Sequence, residues 1–385
     1  MDRPKIRTSS RTVWLNNQQA IPPSVSVRES FETYADPFSL TPSSALKLLN
    51  ETEGVVRKLV GCLESTHSFH FLPHFPHATA IIVAALLENL TFFQGKNHLL
   101  VSSHEQQYII DAICRRQGLG TTYDWVTINS SGRITPEQLI EALTSRTLLF
   151  SLSAANGMTG FIEPIEKLQP LCKDRGVVMH LDISDILGRA AITPEMVDAD
   201  ILTFSSAALG GIGNIGGMFV KKHLSRFFNL WLPVNSPGSL CLASVAAMKT
   251  ACQERVSSFS SLILSSINLR NKLTKELQSA SPDLQFLFPE LENKLPNVMI
   301  AAIPDIPAES LAFFLHQQGI YPGIGYERFQ PLSQVLQNCG VSPFLCHGAL
   351  HFSFSERTKE EQFVTLGRVI REGITHLQSA IASSV

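Results

Sequence analysis

Short apolar segments alternate with amphipathic segments through the first two thirds of the chain. Between about residues 95 and 222, six apolar runs are separated by helix-like stretches, which is typical of parallel strands that helices bury on both faces. The predicted strands are HLLVSS (98–103), WVTIN (125–129), TLLFSLS (147–153), VVMHLDI (177–183), ILTFSS (201–206) and GGMFVKK (216–222). This part of the sequence therefore predicts an α/β domain.

Helix starts are marked by capping residues. The stretch TPEQ at 135–138 places a capping threonine before proline and a glutamine at the third helical position, which satisfies free backbone amides. The pair Thr193-Pro194 repeats this signal for a short helix. Thr358 with Glu361 predicts a capping box at the start of the last helix.

The pattern changes after about residue 245. A long helical stretch, RVSSFSSLILSSINLRNKLTKELQ, precedes a strand-like PNVMIAAIP, a helix over 307–318 that Gly319 ends, and a second strand-like segment, LHFSFS. We therefore predict an arm over residues 1–20, a large α/β domain over 21–250 and a smaller α+β domain over 251–385.

Composition excludes several function classes. A hydrophobic fraction of 44%, a charged fraction of 17% and a net charge of −2 give no electrostatic reason to expect nucleic acid or an anionic membrane as a partner. The longest apolar run, Ala80–Leu87, is far shorter than the ~20 residues of a membrane-spanning helix. The N-terminus lacks the apolar core of a secretory signal, and the seven scattered cysteines disfavour disulfides and zinc ribbons. We expect a cytoplasmic protein.

The segment TFSSAALGGIGNIGGMFV (203–220) contains Gly211-x-Gly213-x-x-Gly216, which matches the dinucleotide-binding fingerprint. That fingerprint joins a strand to a helix and is followed about 20 residues later by an acid that binds the ribose. Here GGMFVKK reads as a second strand, and WLPVNSPGSL contains no carboxylate near the expected position. We therefore predict a glycine turn between two strands rather than a nicotinamide or flavin site.

Several longer segments resemble the NifS-like cysteine desulfurases, which are class V aminotransferases of PLP fold-type I. They are VWLNNQQAIP (13–22), SAANGMTGFIEPIEKL (153–168), VVMHLDISDILGR (177–189), ADILTFSSAALGGIGNIGGMFVKK (199–222) and HGALHFSFSERTKEE (347–361). The resemblance implies a large domain with a mostly parallel seven-stranded sheet sandwiched by helices, and a smaller α+β C-terminal domain. It also implies a homodimer and a site built for pyridoxal phosphate (PLP).

The residues that the resemblance assigns to chemistry are substituted. The cofactor lysine corresponds to Ala208, the nucleophilic cysteine of desulfurases to Tyr326, and the substrate-binding arginine to His351. Alanine has no amine to form an imine, tyrosine has no thiol, and histidine cannot reproduce the bidentate fork of arginine. The phosphate-binding turn corresponds to LPHFPH (72–77), whose two prolines lack amide donors.

Some candidate cofactor contacts remain. Asp182 stands where the family's acid pairs with the pyridine nitrogen, and Asn156 and Ser205 stand at other cofactor-binding positions. Gln106 replaces the histidine that stacks on the ring, and Asp185 replaces a glutamine that touches its hydroxyl. These residues form either a remnant pocket or a set of polar side chains that local packing accommodates. We expect no cofactor, and PLP only if the substituted site is still competent.

These substitutions predict a catalytically degenerate protein without assigned catalytic residues. We expect a binding or scaffold partner in sulfur transfer or iron–sulfur cluster assembly, acting with an iron–sulfur scaffold protein or an active desulfurase relative. One alternative is an active PLP-dependent transferase or desulfurase-like enzyme with a relocated lysine. The other is a small-molecule sensor that uses the old cofactor cleft.

Two remaining groups of side chains could carry other chemistry. His67, His70, His74 and His77 have short spacings that invite a metal, but their aromatic and proline neighbours favour an irregular loop that lines a pocket, and we assign no metal site. Cys339 and Cys346 could be reactive thiols, although packing is the commoner role for cysteines of this kind.

Overall fold

The computed structural model describes residues 12–36, 40–91, 94–117, 120–232, 235–290, 292–326 and 328–382, so residues 1–11 of the predicted arm lie outside the described part. The strands are β1 (Val13–Trp14), β2 (His67–Leu72), β3 (His98–Ser102), β4 (Thr122–Val126), β5 (Thr147–Ser153), β6 (Val178–Asp182), β7 (Ile201–Ser205), β8 (Gly216–Lys221), β9 (Gln285–Leu287), β10 (Val298–Ala302), β11 (Ile320–Tyr321) and β12 (Ala349–Ser353). The α-helices are α1 (Val25–Thr33), α2 (Pro42–Val60), α3 (Ala78–Leu86), α4 (Gln107–Cys114), α5 (Pro136–Ala142), α6 (Ile165–Asp174), α7 (Pro194–Val197), α8 (Lys222–Ser225), α9 (Leu242–Ala280), α10 (Ala308–Gln317), α11 (Leu332–Asn338), α12 (Pro343–His347) and α13 (Glu361–Ala382).

A seven-stranded sheet forms the core of the large part, with strand order β2-β8-β7-β6-β5-β3-β4. Strand β8 is antiparallel to both of its neighbours, and the remaining neighbouring pairs are parallel. Every residue of β3, β5, β6 and β7 is buried, because apolar clusters with helices cover both faces of the sheet. The predicted α/β architecture with a mostly parallel seven-stranded sheet is confirmed.

Strand β2 is the one element of this sheet that the sequence pattern did not predict. Residues 67–72 pair in antiparallel register with β8, and Phe69 and Phe71 pack into the same apolar cluster. The prediction of an irregular loop is therefore wrong for these residues, because the interleaved histidines hide the alternation of the two phenylalanines. Strand β4 is also displaced, since it begins at Thr122 rather than Trp125.

The C-terminal part contains a three-stranded antiparallel sheet of order β12-β10-β9. Helices α9, α10 and α13 pack against it through a separate apolar cluster. The predicted boundary at residue 250 falls inside α9, a 39-residue helix that continues from the large part into the small one. The division into two domains at that residue stays a prediction. No helix within the described ranges has the length and apolar character needed to cross a membrane.

The glycine-rich segment connects β7 and β8 as a hairpin, as predicted. Ser205 pairs with Gly216, so the chain reverses direction within the ten residues between them. A Cβ atom on Gly216 would lie 2.4 Å from the carbonyl oxygen of Phe204, which explains the requirement for glycine there. Because β8 is antiparallel to β7, Lys221 at the end of β8 lies near the start of β7, at the opposite end of the strands from Ser205. It therefore cannot replace the cofactor lysine that is absent at position 208.

Candidate active site at the carboxyl edge of the sheet

The predicted site residues gather where β3, β5, β6 and β7 end. Asp182 ends β6 and is only 1% exposed. One of its carboxylate oxygens, Oδ2, accepts a hydrogen bond from the hydroxyl of Tyr108 on α4, and Oδ1 accepts one from the Ser184 amide at 2.8 Å. Burial raises the pKa of Asp182, partly opposed by these hydrogen bonds. The acid that the resemblance assigns to the pyridine nitrogen thus already has a donor from the chain itself.

Ala208 lies in a single 3₁₀ turn, Ser206–Leu209, directly after β7. It is 1% exposed, and its carbonyl oxygen accepts a hydrogen bond from Nη2 of Arg189 at 2.7 Å. Ser205 is buried beside it, with its amide donating to the hydroxyl of Ser184 at 2.9 Å. The backbone around position 208 is therefore held in place, while the side chain there is a buried methyl group without an amine.

An arginine from the C-terminal part enters this edge of the sheet. The guanidinium of Arg328 forms an ion pair with Asp185 and donates to Oε1 of Gln106 at 3.2 Å and to the carbonyl oxygen of Gln18. Gln106 in turn donates from Nε2 to Ser153 at 3.1 Å and to Asp185 at 3.3 Å. The two residues that replace the ring-binding pair of the family therefore bind each other and Arg328.

A buried carboxyl group lies under this network. Glu105 accepts hydrogen bonds from both the amide and the hydroxyl of Ser153 and, at 2.7 Å, from the amide of Gln106. Burial raises the pKa of Glu105 to about 7, although these three donors favour its charged form. Glu105 therefore fixes the loop after β3 against the end of β5.

Asn156 shapes the turn after β5. Its Oδ1 atom accepts hydrogen bonds from the amides of Met158 and Thr159, each at 2.9 Å, and its Nδ2 atom donates to the carbonyl oxygen of His104 at 2.8 Å. These contacts fix the turn after β5 and occupy both polar atoms of the Asn156 side chain. His104 also lies 3.2 Å from the buried carboxylate of Glu163.

The other two substituted positions lie in the C-terminal part. His351 on β12 is completely buried; its Nδ1 atom donates to the carbonyl oxygen of Met158 at 2.9 Å, and its Nε2 atom accepts from the hydroxyl of Ser353 at 2.9 Å. Burial lowers the pKa of His351 to about 4, so the imidazole is neutral at pH 7. Tyr326 is 51% exposed and has a φ of 70°. Neither side chain offers a thiolate or a cation to a substrate.

The segment aligned with the phosphate-binding turn is closed by packing. Residues 75–77 form a 3₁₀ turn in which Phe75 is buried, and its ring lies edge-on to Tyr108 at 5.6 Å between centroids. The amide of Phe75 donates to the carbonyl oxygen of Asn214 at 2.6 Å and is not free for a phosphate. Of the groups that would hold PLP, the site thus retains the acid, lacks the amine that would form the covalent link, and has a different phosphate turn. These residues do not fit a covalently attached cofactor.

The histidine cluster is split between β2 and the turn after it. His67 donates from Nε2 to the carbonyl oxygen of Ala199 at 3.1 Å, whereas the rings of His74 and His77 pack against each other at 4.3 Å. The described residues contain no group of three or more histidine, cysteine or acidic side chains placed to hold a metal ion. Cys339 and Cys346 are buried and burial raises both thiol pKa values, in line with a packing role.

Three residues at the centre of the site were missed at the sequence level: Tyr108, Glu105 and Arg328. Glu105 directly precedes Gln106, and Arg328 follows Tyr326 by two residues in the loop that resembles the cysteine-bearing segment. Charged residues inside two site-forming loops were therefore a usable signal. Tyr108 had none, because a tyrosine at the start of an apolar helix is usually a packing residue.

Comparison with known proteins identifies the relatives of this chain. The aminotransferase class-V family model matches residues 40–260. A cysteine desulfurase from Nostoc sp. (strain PCC 7120 / SAG 25.82 / UTEX 2576) is 24% identical over 309 residues, which are 78% of this chain and 76% of that protein. Cysteine desulfurase 2 from Trichormus variabilis (strain ATCC 29413 / PCC 7937) is 25% identical over 350 residues, 86% and 84% of the two chains. A solved NifS-like protein superposes with a TM-score of 0.82 at 20% identity, covering 95% of this chain and 100% of that one.

These matches confirm the resemblance and the fold, and they correct one expectation. The family is PLP-dependent, which contradicts the expectation that this chain has no cofactor. What the structure adds is the chemistry of this site, which keeps Asp182 and has Ala208 where an amine would be required. With residues 40–260 matched by the family model, the chain belongs to the class-V aminotransferase family.

Proposed function

We propose that this chain is a cysteine desulfurase-like protein that works by binding rather than by desulfuration. In this role it forms a homodimer, or joins an active desulfurase relative or an iron–sulfur scaffold protein, and contributes to sulfur transfer in the cytoplasm. The observation that carries the proposal is the buried methyl group of Ala208 on a backbone that Arg189 holds in place. Imine chemistry requires an amine there, and a methyl group has none.

Two further features support the proposal. Tyr326 stands in the loop where a desulfurase needs a thiolate, and a phenol cannot take a sulfur atom from cysteine. The guanidinium of Arg328 is bound to Asp185 and Gln106, so it is already paired within the chain. The proposal concerns the reaction and not the occupancy of the site, since Asp182 could still pair with the ring nitrogen of PLP bound without a covalent link.

The alternative is an active enzyme in which a lysine from another position forms the imine. Lys294 is the residue to test for this role. Lys294 is the buried lysine of the described chain, and burial lowers its pKa to about 7, which makes its amine nucleophilic at neutral pH. Its Nζ atom, however, donates to the carbonyl oxygen of Phe288 and lies 5.0 Å from the ring centre of Phe161. Asp182 makes its side-chain hydrogen bonds to Tyr108 and Ser184 instead.

The deciding experiment measures alanine and sulfide release from L-cysteine by the purified protein with excess PLP and a thiol reductant. An active cysteine desulfurase serves as the positive control. We expect no release above the rate of free PLP. Borohydride reduction followed by peptide mass spectrometry completes the test: a modified Lys294 or any other lysine, together with cysteine turnover, would overturn the proposal.

The binding role requires its own measurement. The tagged protein is incubated with a purified desulfurase relative and, separately, with an iron–sulfur scaffold protein, and complexes are detected by light scattering after size-exclusion chromatography. A stable homodimer or a complex with either protein supports the proposed role. A monomer that binds neither protein contradicts it, even when the activity assay is negative.

A further inference from the structure

A cavity of about 520 Å³ lies at the edge of the central sheet opposite Asp182, where β5 and β6 begin and β8 ends. We call it the basal cavity. Its apolar wall consists of Leu90, Leu148, Val178, Leu224 and Phe227. An apolar cavity of about 150 Å³ is enough to hold benzene, so the basal cavity has room for a group larger than one aromatic ring.

Cationic side chains line the same cavity at its solvent side. Lys173 lies at the end of α6 and Arg226 directly after α8, and both are exposed. Within the described part of the chain, neither forms an ion pair with a carboxylate. The guanidinium carbon of Arg226 lies 5.0 Å from the ring centre of Phe227, which places this charge against the apolar wall.

The other charged groups near the cavity are already paired. Nζ of Lys221 lies 3.3 Å from both Asp198 and Asp200, so this cluster of one cation and two carboxylates carries a formal charge of −1. Lys96 donates to the carbonyl oxygens of Arg175 and Gly176 at 3.0 and 2.6 Å, which leaves fewer acceptors for a cationic ligand. With Lys173 and Arg226 added to the Lys221 cluster, these side chains sum to a formal charge of +1, and Lys173 and Arg226 are the cations of the lining without a carboxylate in ion-pair range among the described residues.

We propose that the basal cavity binds an amphipathic organic anion, with an aliphatic or aromatic body against the apolar wall and a carboxylate or sulfonate group at Lys173 and Arg226. Pockets of this size that combine a mostly apolar lining with a few charged groups are typical small-molecule sites. Because β6 separates this cavity from Asp182 along its whole length, binding here does not depend on the function proposed for the other edge.

The test uses a fluorescent anion with an aromatic body, 8-anilinonaphthalene-1-sulfonate, titrated into the folded protein. N-phenyl-1-naphthylamine, which has a similar body without the sulfonate, measures the part of binding that does not depend on charge. The informative variant is Lys173→Glu/Arg226→Glu. The matched control is Arg115→Glu/Arg116→Glu, which makes the same change in net charge at a groove beside α4.

The expected result is a saturable wild-type site whose affinity for the sulfonate falls at least about tenfold in the Lys173/Arg226 variant, since hydrogen bonds to charged groups are the strong ones. Octanoate should compete with the sulfonate and octan-1-ol should not. Thermal unfolding verifies that both variants are folded. If Lys173→Glu/Arg226→Glu does not fold, the charge-neutralising variant Lys173→Gln/Arg226→Gln is used instead. Equal losses in the two variants, equal binding of the uncharged probe, or no saturable binding would each overturn the proposal.

Discussion

The hydroxyl of Tyr108 donates a hydrogen bond to Oδ2 of Asp182, joining α4 to the end of the central strand β6. Burial and the nearby carboxylate raise the pKa of Tyr108 well above its usual value, so the phenol is protonated and can donate at neutral pH. In this chain the carboxylate that the resemblance assigns to a cofactor nitrogen is thus satisfied by a neighbouring helix. Asp182 therefore has a structural role, because its hydrogen bond to Tyr108 holds α4 against the end of β6.

Replacing the phenol tests this structural role. Tyr108→Phe leaves a buried carboxylate with one donor fewer, and we expect a loss of about 1–3 kcal/mol in the free energy of unfolding. Urea unfolding at pH 7 measures it. Tyr321→Phe is the control, because Tyr321 stacks on His316 through its ring, at 5.0 Å between centroids, and should change stability by less than about 0.5 kcal/mol. Equal losses in the two variants would show that the Tyr108 hydroxyl has no special role.

The ion pair between Arg328 and Asp185 gives a second prediction. Arg328→Met leaves Asp185, which is 1% exposed, without its cation, and we expect a loss of about 3 kcal/mol. Arg328→Met/Asp185→Asn should recover part of that loss, because the buried carboxylate that Arg328 neutralises is then absent. The exposed pair of Arg368 with Glu372 provides the control, and Arg368→Met should cost at most about 0.5 kcal/mol. Additive losses in the double variant would contradict the pairing.

His351 predicts a pH dependence of stability. Its folded pKa of about 4 lies below the unfolded value of about 6.5, so its contribution is fully present above pH 6.5 and is lost as the pH falls through about 4. From pH 8 to pH 5 this group alone should remove about 2 kcal/mol from the free energy of unfolding.

The measurement compares wild type with His351→Gln by chemical unfolding at both pH values. The stability difference between them should shrink by that amount at pH 5, because glutamine does not titrate. His376→Gln, at an exposed histidine of α13, is the control and should follow the wild-type pH dependence. A constant difference between wild type and His351→Gln would show that His351 titrates normally in the folded protein.

Alanine substitutions at two glycines in different surroundings should change the free energy of unfolding in opposite directions. A Cβ at Gly216 would lie 2.4 Å from the Phe204 carbonyl oxygen and 2.7 Å from the ring of Phe75, so Gly216→Ala should cost at least about 2 kcal/mol. Gly54 in α2 has no atom within 4 Å of that position, and Gly54→Ala should add about 0.5–1 kcal/mol. Thermal and urea unfolding of both variants measure whether Gly216→Ala lowers stability and Gly54→Ala raises it.

Local sequence patterns predicted much of the fold. The strand TLLFSLS coincides with β5, since seven apolar or small residues buried on both faces leave no competing period. The capping box at 135–138 is confirmed by reciprocal hydrogen bonds between Thr135 and Gln138. The one predicted for the last helix is wrong, because Thr358 accepts from the amide of Ser355 and the helix begins at Glu361. Sequence spacing alone does not show whether the Thr358 hydroxyl accepts from an amide of the following helix or from the amide of Ser355 before it.

Parts of the site were also visible in the sequence. The position of Asp182 at the end of a buried strand follows from VVMHLDI, and the resemblance places Ala208 beside it. The hydrogen bonds that decide what these residues do were not visible, because their partners lie on other elements. Asn156 shows the difference: its turn contacts to Met158 and Thr159 are local, whereas its bond to His104 spans 52 positions.

The sequence by itself determined strands β3–β8, β10 and β12 and the residue types at the site, including the absence of an amine at residue 208, since these depend only on local side-chain pattern and residue type. Only the tertiary structure decided which side chains contact each other at the carboxyl ends of the strands. Arg328 reaches Gln106 across 222 positions and Tyr108 reaches Asp182 across 74. Contacts at such separations depend on how several elements pack together, and no local pattern of residues encodes that packing.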